Sequence, residues 1–253
     1  MFFLFYFLLG LVQGLTEFLP VSSSGHLVLL NKIFGIEQNF VFLSVLLHVA
    51  TLLAVVVVFR KQIWFLITHP FSKQTLMLVV ATIPTVAIVL LFKSFFEQSF
   101  SGNLLPLCFS ITASVLVLTS LFSKQKKNKQ MSYKSAVFMG ISQGIAILPG
   151  ISRSGATICT GLACGEDKKQ TTEFSFLMSL PIIICSLFYE IYQSLSQGLP
   201  LFTGNIWLVL MAFVVAFISG IFAIKFMLKI VQKGKYYYFS IYLYCLSVFS
   251  LFI

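Results

Sequence analysis

Glu17 is an acid in an otherwise apolar run, and four positions before it stands Gln13. On a helix such a pair shares one face, one turn apart. A carboxylate and an amide carbonyl held together offer oxygens suited to a hard divalent cation, Mg²⁺ or Ca²⁺. The plainer alternative is a hydrogen-bonded pair with no ligand, although a carboxylate at membrane depth is a functional candidate by default. Beyond Pro20 follows Ser22-Ser23-Ser24-Gly25-His26. If this run opens a helix, its hydroxyls and the first N–H groups of that helix form a cradle for an anion such as phosphate. Capping alone would account for Ser22. His26 adds an imidazole that can serve as acid, base or nucleophile near neutral pH. His48, alone in an apolar span, reads as structural, and His69, beside Pro70, as an ordinary loop residue.

A second stretch supplies what the first lacks. Pro149-Gly150-Ile151-Ser152-Arg153-Ser154-Gly155-Ala156-Thr157 places the one arginine expected at membrane depth between two serines. A guanidinium fork matches phosphate oxygens two at a time. Gly150, Gly155 and Thr157 complete a second cradle at a helix N-terminus, and Glu17 or Glu173 could neutralise Arg153. The two stretches are copies: a shift of 130 positions superposes Gly10 on Gly140, Gln13 on Gln143, Gly14 on Gly144, Ser22 on Ser152, Ser24 on Ser154 and Gly25 on Gly155. Their chemistry has diverged, since Glu17 matches Ile147, Ser23 matches Arg153 and His26 matches Ala156. The residues alone imply one composite receptor for an anionic, phosphorylated lipid or solute.

The elements that must position these groups follow from composition. The chain of 253 residues is 58% hydrophobic and 9% charged, with a mean hydropathy of +0.99. A soluble domain of this size would have nothing to keep its surface in water, so an all-α polytopic membrane protein is expected. Met1 to Leu9 lack the basic leader and small-residue cleavage site of a removed signal peptide. The net charge of +10 falls between apolar spans, where it reads as membrane-surface anchoring and not as a nucleic-acid footprint. Five cysteines without metal-like spacing, Cys108, Cys159, Cys164, Cys185 and Cys245, read as buried small hydrophobes.

Spanning ~30 Å of hydrocarbon takes about 20 apolar residues. Six spans are predicted, at 40–59, 75–92, 104–122, 174–192, 205–224 and 236–253. The motif-bearing stretches 2–30 and 135–163 are each broken by Pro, Ser and Gly, which fits re-entrant helical hairpins better than continuous spans. Alternating the spans brings the loops near 60–74, 123–134, 164–173 and 225–235 to one face, with fourteen of the seventeen basic residues. That face should be cytoplasmic, with both termini outside. Residues 1–122 and 135–253 then form inverted-topology repeats, joined by the basic connector 123–134. Glu37, Glu97, Glu166, Asp167 and Glu190 fall in or beside loops, where water would solvate them. Inverted repeats with broken helices also suit a transporter or flippase for a lipid phosphate or another anion.

The segment Gln13 to Glu17 running into Pro20-Val-Ser-Ser-Ser-Gly-His26, paired with Pro149 to Thr157, resembles the undecaprenyl-diphosphate phosphatases of bacteria, the bacitracin-resistance family. The likeness continues through 174–181, the span around Pro84 and 218–225, and so covers essentially the whole chain. It implies a cation-dependent phosphatase of the inner membrane that recycles the lipid carrier of peptidoglycan synthesis. By position, Glu17 and Gln13 would organise the cation and diphosphate. Ser23 would be the nucleophile, with His26 assisting or competing and water a third option. Arg153 would hold the diphosphate, and Ser22, Ser24, Gly25, Ser152, Ser154, Gly155 and Thr157 would contact phosphate. The commoner family form carries an acid where this chain has Gln13. The implied partners are the polyprenyl diphosphate and the bilayer, no nucleic acid, with a homodimer left open.

Overall fold

A computed structural model describes residues 2–34, 40–123, 129–196 and 205–253. Among them the regular structure is helical. The first motif is carried by α1 (Phe2–Phe18) and α2 (Ser23–Phe34), broken at Pro20, and the second by α8 (Tyr133–Ile145) and α9 (Arg153–Ala163), broken at Pro149. Pro20 bars α1 from continuing, because it lacks a donor and pushes the residue before it out of the helical region; α8 has already ended at Ile145, four residues before Pro149. Between these pairs lie α3 (Phe40–Val58), α4 (Arg60–Thr68), α5 (Lys73–Leu91), α6 (Lys93–Ser99) and α7 (Leu105–Ser123). After them come α10 (Lys168–Leu177), α11 (Ser179–Ser196), α12 (Ile206–Gln232) and α13 (Phe239–Phe249).

Four helical stretches are long and apolar enough to cross a membrane, 73–91, 105–122, 168–189 and 206–232. The pair Leu43–Val58 and Arg60–Thr68 makes a fifth if its 84° bend lies within one span. The chain is therefore a multi-pass membrane protein. The expected span at 40–59 is α3, which ends at Val58, and the polar Arg60-Lys61-Gln62 begins α4 across the bend. One expected span differs from its sequence reading. The span at 236–253 contains an α-helix of 11 residues after a 3-10 turn at Tyr236–Tyr238, and 11 residues rise only about 16 Å.

Glycines at matched positions let the broken helices pack tightly. A Cβ on Gly10 would lie 2.3 Å from the Ala212 carbonyl oxygen, and one on Gly140 would lie 2.0 Å from that of Ala81. Gly14 then meets Ala216 and Ser219, and Gly144 meets Ile88. Contacts advance in the same direction along both chains, so α1 runs parallel to α12 and α8 parallel to α5. Pro84 lies inside α5 beside this second seam, where the Thr85 hydroxyl donates to the carbonyls of Ala81 (3.1 Å) and Gly140 (2.8 Å).

Basic segments gather at one end. Lys129 exchanges backbone hydrogen bonds with Gly165 (3.0 Å) and Asp167 (2.9 Å), and Lys168 reaches Gly234. Lys32 lies over Gly102. Two readings need correction here. Glu166 is 5% exposed and not solvated. Its Oε1 accepts from the Ser132 N–H (3.3 Å), the Ser132 hydroxyl (3.1 Å) and the Ser135 hydroxyl at the start of α8, so protein donors replace water at that oxygen. Cys108 and Cys159 are buried, but Cys185 and Cys245 are exposed on outward helix faces, positions that lipid tolerates. Glu37 lies outside the described residues.

Candidate functional site between two broken helices

The turns of the two hairpins dock on one another. Gly25 admits the backbone nitrogen of Gly150, 2.9 Å from where a Cβ would stand, and Gly155 admits the ring of Pro20 at 3.2 Å. Each turn thus enters beside the other's glycine, where a side chain would block it. The Gly150 N–H donates to Ser22 Oγ (3.0 Å), and the Ser154 hydroxyl donates to the Leu19 carbonyl (2.9 Å). Ser22 also caps α2 by accepting the Gly25 N–H (3.3 Å) and has φ +66°, a left-handed conformation that costs about 1–2 kcal/mol for an L-residue. Ser152 caps α9 through the Gly155 N–H (3.1 Å).

This docking brings three charged or nucleophilic groups to one point. Glu17, 5% exposed, accepts from the Ser23 hydroxyl at 2.5 Å and from the Gln13 amide at 3.0 Å, all through Oε2. Its Oε1 pairs with Arg153 Nη2 from the opposite hairpin. Arg153 is therefore neutralised by Glu17; Glu173 instead lies 3.9 Å from Lys169. A buried pair of this kind holds geometry more than it adds stability, because both ions lose solvation.

A cavity of about 640 Å³ opens on this point. Glu17, Ser22, Ser23, Ser24, Ser152 and Arg153 line its floor, while Ile182, Ile183 and Ala146 make an apolar wall. Asn31, Ser44, Glu97, Phe100 and Tyr189 also line it. Lys93 sits 4.9 Å over the Tyr189 ring, and the bond to that phenol, ahead of Glu97, raises the pKa of its ammonium above the ordinary value.

Other expected site residues sit behind the floor, outside the cavity lining. Gln13 is fully buried behind Glu17. Ser154, Gly155 and Gly25 serve the hairpin joint. Thr157 is held by the Ser175 hydroxyl (2.6 Å) and the Arg153 carbonyl (2.8 Å). His26 faces away from the cavity: Nδ1 bonds to the Ser22 carbonyl (2.7 Å) and Nε2 to the Tyr242 hydroxyl (2.6 Å).

His48 is the imidazole in the cavity. It lies 3.5 Å from Glu17 Oε2, with Nδ1 on the Ser44 carbonyl at 2.7 Å. The sequence reading makes it structural; the fold sets it beside the Glu17 carboxylate. Sequence reasoning missed it because α3 lies outside both motifs, and only its isolation in an apolar span marked it.

The donor set can be tested against a cation. Gln13 Oε1 is buried without a hydrogen-bond partner one turn from Glu17, and an unmet carbonyl beside a carboxylate suits a hard cation that completes its shell from phosphate and water. Among the described residues no three of His, Cys, Asp and Glu gather into a metal cluster, so the protein's own share would be small.

Fold and site together define a multi-pass helical membrane protein with a buried carboxylate–hydroxyl–guanidinium centre suited to an anionic head group. The chain belongs to the family described as bacitracin resistance protein BacA, whose model matches residues 6–249. It is 42% identical over 243 residues to the undecaprenyl-diphosphatase of Carboxydothermus hydrogenoformans, covering 95% of this chain and 93% of that protein. The protein of the same name from Halothermothrix orenii is 39% identical over 245 residues, with the same coverage. That from Treponema denticola is 38% identical over 250 residues, covering 93% and 91%.

Proposed function

We propose that this protein hydrolyses undecaprenyl diphosphate to undecaprenyl phosphate and inorganic phosphate in the bacterial inner membrane. The observation that carries the reading is the Ser23 hydroxyl 2.5 Å from Glu17 Oε2, on the floor of a cavity that Arg153 also lines. Glu17 takes the Ser23 proton as Ser23 Oγ attacks the terminal phosphorus. The bond from that phosphorus to the bridging oxygen breaks, and the lipid monophosphate leaves. Water then attacks the phosphorus on Ser23, the bond from Ser23 Oγ to phosphorus breaks, Glu17 returns its proton to Oγ, and inorganic phosphate leaves. Arg153 supplies fixed positive charge to the equatorial oxygens, where catalysis of phosphoryl transfer is mainly electrostatic. Ser24 and Ser152 face the cavity and contact the diphosphate. A divalent cation, Mg²⁺ or Ca²⁺, would be held by Glu17 and the Gln13 carbonyl and would offset the charge of the diphosphate.

The architecture behind this reading is two inverted halves, each a re-entrant hairpin followed by three spans, the last completed by the short α13. The parallel seams α1–α12 and α8–α5, at positions 130 residues apart, support it. The meeting of basic segments at Lys129, Lys168 and Gly234 is consistent with it: in this reading that end faces the cytoplasm, with both termini outside. Proteoliposomes loaded with the diphosphate separate this function from transport. Hydrolysis should produce lipid monophosphate and free phosphate, whereas translocation of intact diphosphate without phosphate release would establish a carrier instead.

A further inference from the structure

The geometry points to Tyr242 and His26 as a coupled pair that positions the nucleophile, a role that rests on the phosphatase reading above. The two are 216 positions apart in sequence. Their rings stack at 5.7 Å with an interplanar angle of 11°, and the Tyr242 hydroxyl meets His26 Nε2 at 2.6 Å. Nδ1 faces a carbonyl, that of Ser22 at 2.7 Å, so Nδ1 must carry the hydrogen. Nε2 is then the acceptor of the Tyr242 hydroxyl, and neither nitrogen is left to attack phosphorus or relay a proton.

What the pair grips is the turn that presents Ser23. Ser22 is the one described residue other than glycine with a positive φ, and such a conformation persists only where its surroundings over-determine it. His26 holds the Ser22 carbonyl from one side, while the Gly150 N–H holds its Oγ from the other. Phe109 meets the His26 ring edge-on at 6.0 Å, closing the remaining side. The next residue is Ser23, whose alignment on Glu17 follows from that turn. Tyr242 belongs to α13, so the last helix of the chain reaches the site through this contact.

The test is a double-mutant cycle on the purified full-length protein with undecaprenyl diphosphate. Asn at position 26 keeps a donor for the Ser22 carbonyl and cuts the link to Tyr242; Phe at position 242 cuts the same link from the other end. His26→Asn and Tyr242→Phe should each lower kcat about tenfold with KM within about twofold, and the double variant should lose no more than either alone. His26→Ala, which also frees the Ser22 carbonyl, should fall well below His26→Asn. A nucleophilic or proton-transferring His26 gives the opposite pattern: His26→Asn inactive by about a thousandfold or more with Tyr242→Phe near wild type. That pattern, or losses that multiply in the double variant, overturns the proposal. Because Tyr242→Phe removes one hydroxyl from a half-exposed ring, it remains informative if the position 26 variants fail to fold. A wild-type protein without hydrolysis would instead reject the phosphatase reading itself.

Discussion

Ser23 directs its hydroxyl at Glu17 across 2.5 Å, and Arg153 from the other hairpin pairs with the second oxygen of the same carboxylate. A nucleophile with its base is thereby built from one hairpin and its charge stabiliser from the other. If Ser23 accepts the phosphoryl group, substrate labelled in its terminal phosphate leaves label on Ser23 after rapid quenching. Ser23→Ala should lose about a thousandfold or more in kcat and carry no label. Label on any other residue would contradict the assignment.

Arg153 tests the need for a planar fork. Arg153→Lys keeps the charge near Glu17 but cannot make two parallel contacts to phosphate. Its kcat should fall about a hundredfold, measured as phosphate release at saturating substrate. Retention of wild-type rates would show that any positive charge suffices.

Gln13 sets the charge beside the candidate cation site. Its carbonyl is buried without a partner, so Gln13→Glu adds a full negative charge one turn from Glu17. Half-maximal activation should then occur at about tenfold lower Mg²⁺, and Gln13→Leu should require more cation than wild type. Identical cation titrations for the three proteins would place the cation elsewhere.

Packing of α8 on α5 depends on a glycine. A Cβ at position 140 would stand 2.0 Å from the Ala81 carbonyl oxygen, so Gly140→Val must push the helices apart. Overpacking costs about 1–3 kcal/mol, and a chain of this size loses roughly 2–4 °C in Tm per kcal/mol. Thermal unfolding in detergent should show a fall of about 2–12 °C, larger than for Gly144→Ala, whose nearest neighbour is the Ile88 side chain at 2.9 Å.

Much of this site was legible in the chain. The Gln13–Glu17 spacing, the Pro-broken turns and a lone arginine between serines each follow from local chemistry, and the repeat implied that the two turns meet. What stayed hidden depends on tertiary contacts. His48 joins Glu17 from a helix without a motif, and Tyr242 reaches His26 from the last helix of the chain. Glu166 looked like a solvated loop acid because its partners, Ser132 and Ser135, lie more than thirty positions away. Several hydroxyls expected on phosphate also serve the hairpin joint. A sequence shows that a serine is polar but not whether its partner is a ligand or a neighbouring turn.

The central claim is that the two hairpins form one hydrolytic site. Purified protein with Mg²⁺ should convert undecaprenyl diphosphate to the monophosphate, releasing one phosphate per lipid, and Glu17→Ala and Arg153→Ala should each abolish that release while the proteins remain monodisperse in detergent. Undiminished phosphate release by either variant would contradict it.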